Sequence, residues 1–208
     1  MISVIITATN KFGDYATPLI ESIRKYEPDV EIILIDNASP KAYQPGNYRI
    51  VRFDEQQSWS HMLNRGASEA KGDWLVMLND DVLCHGGFSK RVESLDMRSI
   101  FGPQIRHKPL SWVGKRIDYL YAWMLVMHKA IFFYTGGFDE NYPAAGVDDI
   151  DFAWTAQKKG CKIRAVSLPF THIADQPGFI HRRKNWDDAD FVKRMEASRQ
   201  YFAKKVNA

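Results

Sequence analysis

Two adjacent carboxylates, Asp80 and Asp81, end the run GDWLVMLNDD of residues 72–81, directly after Asn79. Side-by-side anions repel, and the cost grows as water is removed, so a pair of this kind needs either solvent or a cation. The apolar run before it reads as a buried strand, which raises the question of what cation sits there. Two other apolar runs end in the same way: ISVIITATN at Thr9 and Asn10, and VEIILIDNAS at Asp36, Asn37 and Ser39. Asp and Asn hydrogen-bond to bases and ribose, and a carboxylate reaches a diphosphate through a bridging divalent metal. The indicated chemistry is therefore recognition of a nucleotide diphosphate.

Positioning such groups requires strands that stop at a common edge. DYATPLIESIRKYEP carries Leu19, Ile20, Ile23 and Tyr26 at helical spacing, with Pro28 as its stop. YRIVRFD reads as a third, shorter strand, SWSHMLNRGASEAKG as a helix closed by Gly72, and DWLVMLN as a fourth strand. Strand alternating with helix implies a parallel sheet covered on both faces, with ligands beyond the carboxyl ends of the strands. In the second half SIFGPQI and IDYLYAWMLVM read as one strand each, the latter with Tyr119, Tyr121 and Trp123 on one face. A glycine turn and an acidic loop follow, then a helix from about Asp148 closed by Gly160, the strand CKIRAVS, and a last helix striped by Phe191, Met195, Phe202 and Val206. All 208 residues read as one α/β unit, with 1–100 mainly binding the nucleotide and 101–208 on the other side of the reaction.

Composition narrows the classes. A content of 45% hydrophobic residues is enough for a sizeable core. No charged-then-apolar leader and no run of about 18 apolar residues occurs, so a soluble, cytoplasmic protein is expected, with peripheral membrane contact left open. Cys84 and Cys161 stand far apart without metal spacing, which speaks against a disulfide framework or a zinc site. TATNKFGD lacks the glycine-rich turn of dinucleotide-binding folds, and no P-loop occurs. The net charge of +3 is mild but uneven: from His181 onward, 8 Lys and Arg face 4 Asp and Glu.

Taken in order, VIITATN, ILIDNAS, NRGASEAKGDWLVMLNDD, GGFDE, VDDIDFAW and the His172 segment resemble the family 2 glycosyltransferases. The resemblance runs from about Ile2 to His172. It implies a GT-A fold: one Rossmann-like unit with a mostly parallel central sheet flanked by helices, and a small antiparallel part on the acceptor side. It further implies a nucleotide-diphosphate sugar as donor, a divalent metal (Mn2+ or Mg2+), and inversion at the anomeric carbon. Asp81 matches the last carboxylate of the family's D-x-D pattern and is the implied metal ligand. Asn79 stands where that pattern's first Asp often stands, so one charge is missing. Asp80 is placed for the ribose or donor sugar, and His172 for the metal or diphosphate.

The resemblance sets Asp36 against the nucleotide base. Thr7, Ala8 and Thr9 replace P-T-Y, so the proline is lost and a backbone contact to the base is what carries over. Asn64, with Gly66, either lines the nucleotide crevice or packs its helix against it. Asp149 matches the catalytic Asp, the base that takes the acceptor hydroxyl's proton as that oxygen attacks; Asp148 is the alternative one residue back. A helix first turn favours its ionised form, whereas Asp148 and Asp151 raise its proton affinity.

The acceptor is the least legible part. A hydroxyl of a saccharide or lipid-linked glycan is the family's usual choice; a hydroxylated base in DNA is the alternative, given the basic stretch HRRK at 181–184. Tyr119, Tyr121 and Trp123 read as strand core or as an aromatic platform for the acceptor. A non-catalytic nucleotide-sugar or carbohydrate-binding module is the rival of another class, and it is expected to lose the base or the metal carboxylates. A nucleotidyltransferase is disfavoured by the absence of a glycine- and lysine-bearing loop after the first strand.

Overall fold

A computed structural model describes residues 1–10, 14–143, 146–173 and 189–208. Its first half is the expected alternation: β1 (Ile2–Ala8), α1 (Ala16–Tyr26), β2 (Glu31–Asn37), β3 (Arg49–Phe53), α2 (Trp59–Glu69) and β4 (Trp74–Asn79). β1 pairs in parallel with both β2 and β4, and β2 with β3. Every residue of β1 is buried, which is why the run has no polar alternation.

Period-two geometry sends alternate side chains to opposite faces. Val4, Ile6, Ile32, Leu34, Val76 and Leu78 pack with Leu19, Ile20 and Ile23 of α1 in one core layer. Ile5, Ile33, Ile35, Leu75 and Met77 pack with Met62, Leu63 and Ala67 of α2 in the other. Ser58 caps α2, its side chain accepting from the His61 N–H at 3.2 Å. Gly66 lets that helix sit low on the sheet, because a Cβ there meets Ile5 Cγ2 at 2.4 Å.

Beyond β4 come β5 (Val82–Cys84), the short α3 (Ser89–Glu93), β6 (Ser99–Gly102), β7 (Ile105–Leu110), β8 (Lys115–Leu120), β9 (Met124–His128), α4 (Lys129–Thr135), α5 (Asp148–Lys158), β10 (Lys162–Ala165), β11 (Phe170–His172) and α6 (Ala189–Asn207). The main sheet runs β10-β6-β9-β4-β1-β2-β3, and β9 lies antiparallel to β4 and β6. β7 pairs with β8, and β5 with β11, in two small antiparallel sheets. This mixed α/β sheet flanked by helices is the expected fold class.

Two readings of the second half are corrected. SIFGPQI is not one strand: it breaks at Pro103, which has no N–H to donate to a ladder, into β6 and β7. IDYLYAWMLVM likewise breaks into β8 and β9, because its backbone serves two partners: the Tyr121 N–H donates to Gln104 O at 2.9 Å, and Trp123 O accepts from the Asn79 N–H at 3.0 Å. Gly72 does not close α2 either; the helix ends at Glu69, and a Cβ at Gly72 meets the Ser3 backbone N at 2.7 Å. α5 ends at Lys158 and Gly160 closes it as expected, with a φ of 83° that suits the turn. α6 packs Met195 and Phe202 against Leu110, Ile117, Val147 and Ile150 in a third cluster.

In an ordinary helix interior Gly→Ala gains about 1 kcal/mol. At Gly66 the sign reverses, because the facing Ile5 is fully buried and cannot yield. Gly66→Ala is expected to cost roughly 1–3 kcal/mol by overpacking, read as a lower urea midpoint at unchanged slope.

Candidate functional site

Strand register brings the polar strand ends together. Ala8 pairs with Asp36, and Thr7 with Asn79, so Thr9, Asp36 and the 79–81 segment emerge at one edge of the sheet. Thr7 and Ala8 are themselves buried, while Thr9 Oγ1, also buried, makes no hydrogen bond among the described residues. Asp36 is wholly enclosed. One of its oxygens accepts from the Ser39 N–H at 3.0 Å, and the other pairs with the Arg52 guanidinium, which also donates to Ser39 O at 2.9 Å. Ala38 between them takes a left-handed φ of 50°, a strained backbone for a residue with a Cβ. Arg52 faces Asp36 in the β2/β3 register, yet nothing in the sequence distinguishes it from the other surface arginines.

Tyr43 was also invisible in the sequence. It is buried, and its hydroxyl is pushed far above the ordinary tyrosine value by burial and then by the carboxylates of Asp80, Asp14 and Asp36. The phenol therefore stays protonated near three carboxylates.

Asp80 and Asp81 are both buried. β5 starts immediately after them, and its partner β11 sets Val82 opposite His172. The Ile173 N–H donates to Asp81 O at 2.8 Å, and His172 Nε2 lies 3.4 Å from Asp81 Oδ2. Trp123 stacks flat on the His172 ring at 5.2 Å, and Tyr121 meets it edge-on at 6.1 Å. Two side chains expected at one site from distant segments thus stand side by side, with the imidazole orientation fixed by two rings.

Tyr121, against His172, and Tyr119, which feels the Asp149 charge, form a wall that leads to the first turn of α5. Asp148 is buried; its Oδ2 accepts from Ser60 Oγ at 3.0 Å and its Oδ1 from the Gly146 N–H at 2.9 Å. Asp149 beside it is partly exposed. Burial raises the proton affinity of both, and repulsion from Asp148 adds to the effect at Asp149, whose carboxyl is pushed up to about 7. Tyr119 connects the two ends: its hydroxyl is raised by burial and then by the Asp149 charge, and it stands two residues before Tyr121, which touches His172.

A family model described as glycosyl transferase family 2 matches residues 3–155. The chain belongs to this family. Among solved structures it is similar to GalNAc-T7 with UDP, GalNAc and Mn2+, at TM-score 0.68 and 17% identity over 80% of this chain and 42% of that one. It is similar to the mannosyltransferase PcManGT of Pyrobaculum calidifontis with GDP-Man and Mn2+, at TM-score 0.60 and 15% identity over 86% and 58%. A third, TarS 1-349 of S. aureus, gives TM-score 0.60 and 14% identity over 81% and 59%. At these identities the likeness is one of fold, and the chain spans about half the length of the structures it matches. A search of curated protein sequences gives no match.

Family membership gives the GGFDE segment a structural meaning here. The Asn64 side chain donates to Phe138 O at 2.9 Å and to Glu140 Oε1 at 2.6 Å, and accepts from the Phe138 N–H at 2.9 Å. Its amide is thus engaged by the 138–140 loop, and a Cβ on Gly137 meets Asn64 Oδ1 at 2.7 Å. These contacts join α2 to the 138–140 loop. Lys205 of α6 binds Asp139 at 2.9 Å and Asp151 at 2.7 Å, tying this loop to the first turn of α5. The HRRK stretch at 181–184 lies outside the described residues.

The raised Asp148 and Asp149 carboxyls predict a pH-dependent stability. Unfolded carboxyls titrate near pH 4, so between about pH 4 and 7 the folded chain holds more protons, and its stability falls as pH rises through that window. Asp148→Asn removes one charge while its amide can still meet Ser60 and Gly146. The variant is expected to melt higher than wild type at pH 8, with the gap closing by pH 5, in thermal scans across that range.

Proposed function

We propose that this chain is a nucleotide-sugar-dependent glycosyltransferase that moves a sugar, with inversion, to a hydroxyl of a saccharide or lipid-linked glycan. Residues 1–100 hold mainly the donor, and 101–208 supply the acceptor side and the base. The carrying observation is the wall from the Asp81–His172 pair to the Asp149 carboxyl, with its proton affinity raised towards neutrality. A module that only binds sugar has no need of a base poised there. No helix among the described residues is long and apolar enough to cross a membrane.

A divalent metal fits the residues present. Asp81, just before β5, and His172, at the end of β11, offer a carboxylate oxygen and an imidazole nitrogen 3.4 Å apart. Among the described residues no group of three His, Cys, Asp or Glu forms a metal cage, which suits an ion that draws its other ligands from a diphosphate and water. When bound, such an ion, manganese in our reading, supplies positive charge for the departing diphosphate. The buried Asp80 is placed for ribose or donor sugar, and Thr7 to Thr9 with the Asp36–Arg52 pair for the base.

The proton step belongs to this chain's own residues. Asp149 takes the proton of the acceptor hydroxyl while that oxygen attacks the anomeric carbon opposite the leaving diphosphate. Asp148, buried and held by Ser60 and Gly146, keeps the Asp149 proton affinity high by repulsion. Activity therefore rises with pH through about 7, and in Asp148→Asn the acid limb moves to lower pH.

Two substitutions test the reading. Asp149→Asn preserves shape and removes the acceptor of the proton; turnover is expected to fall by ~10² or more at nearly unchanged donor affinity, in steady-state assays over a panel of UDP- and GDP-sugars. A larger loss in Asp148→Asn transfers the role one residue back. Asp81→Ala is expected to abolish the manganese-dependent part of UDP or GDP binding, measured by calorimetry with and without the ion. Equal binding in wild type and variant removes Asp81 from the ligand set.

A further inference from the structure

Between the two ends of the wall stands a cation that neither the donor nor the base requires. Arg106 of β7 pairs across the ladder with Tyr119 of β8, so the two side chains share a face. Its guanidinium lies 4.4 Å from the centroid of the Tyr121 ring, the ring whose edge meets His172. The row therefore reads Asp81, His172, Tyr121, Arg106, Tyr119, Asp149.

Other described arginines have simpler explanations. Arg49 and Arg65 pair with Glu69, Arg52 with Asp36, Arg116 with Asp118, Arg194 with Asp190 and Arg199 with Glu196. Arg24 is spent on backbone carbonyls and Arg164 on Ser99, while Arg91 and Arg98 are exposed. Arg106 is half-buried and has neither an ion pair nor a hydrogen bond to any described residue. Its planar fork is held by stacking, with its donors unspent, which is the state suited to bidentate capture of a carboxylate or phosphate.

We infer that Arg106 is a specificity-determining residue that binds an anionic group, carboxylate or phosphate, on a saccharide acceptor whose hydroxyl faces Asp149. This deepens the proposed glycosyl transfer and rests on it. The charge of Tyr119's surroundings agrees: its hydroxyl, across the ladder from Arg106, responds to Asp149 and, in the opposite sense, to Arg106, so both charges lie near one phenol. Of the three aromatics Trp123 is buried and stacked on His172, while Tyr119 and Tyr121 are partly exposed and flank Arg106, so these two are the surface offered to that ring.

The test separates acceptor from donor. Methyl glucuronide, methyl glucoside and glucose 6-phosphate are titrated by calorimetry into the full chain saturated with UDP and manganese, for wild type, Arg106→Ala and Arg106→Lys. The glucuronide or the sugar phosphate is expected to bind wild type about tenfold or more tighter than the neutral glucoside, and Arg106→Ala to erase that preference. Arg106→Lys keeps the charge but not the fork, and is expected to restore only part of it. UDP affinity should be the same in all three proteins. The ratio of glucuronide to sugar-phosphate affinity tells which anion is the source. Equal affinity for charged and neutral sugars, or a preference that survives in Arg106→Ala, overturns the inference. Weakened UDP binding in Arg106→Ala assigns the residue to the donor diphosphate and overturns it as well. Failure of UDP and GDP to bind wild type at all overturns the donor reading instead, and the same three sugars titrated without nucleotide then decide Arg106 separately.

Discussion

Buried carboxylates are the constraint around which the structure is arranged. Asp36, Asp80, Asp81, Asp148 and Asp151 are all almost fully removed from solvent. Each enclosed anion is costly unless hydrogen bonds or a counter-charge compensate it. Asp36 has Arg52 and a backbone N–H; Asp151 has Lys205; Asp148 has Ser60 and Gly146. For the 80–81 pair the structure sets His172 beside Asp81. Asp149, beside the buried Asp148, accepts from the Ile150 N–H at 2.8 Å, and its carboxyl is pushed up to about 7 by burial and by Asp148.

The scaffold tolerates this because the sheet beneath it is dry and rigid. Apolar layers on both faces fix β1, β2 and β4 in register, so the polar residues at their ends have no freedom to spread apart. Small residues set the approach distances: Gly66 lowers α2 onto Ile5, and Gly137 gives room for the Asn64 amide. Loops then hold the chemistry on rigid supports, a common division of labour in α/β proteins.

The sequence disclosed the first half well because β1, β2 and β4 are apolar runs that lead into Asp or Asn, and each helix has a clear stripe. It also disclosed the carboxylates, since adjacent anions after an apolar run have few explanations. It failed where one apolar run serves two sheets: nothing in the periodicity of IDYLYAWMLVM marks the change of partner after Leu120. The three-residue strands β5 and β11 were likewise too short to carry a period. Arg52 and Tyr43 stayed hidden because their meaning depends on cross-strand and loop proximity to Asp36 and Asp80, separations that a linear pattern does not encode.

The Lys205 bridge has a consequence in time. During synthesis the sheet strands from β1 to β9 and the helix α5 emerge well before residue 205, and folding proceeds on the emerging part of a chain. Until α6 arrives, Asp151 and Asp139 lack the cation that joins them, and the first turn of α5 is not tied to the 138–140 loop. The scaffold can therefore form early, while the arrangement of the acid-rich turn is completed only by the last helix. A nascent chain halted short of Lys205 would carry the sheet with the first turn of α5 unfastened.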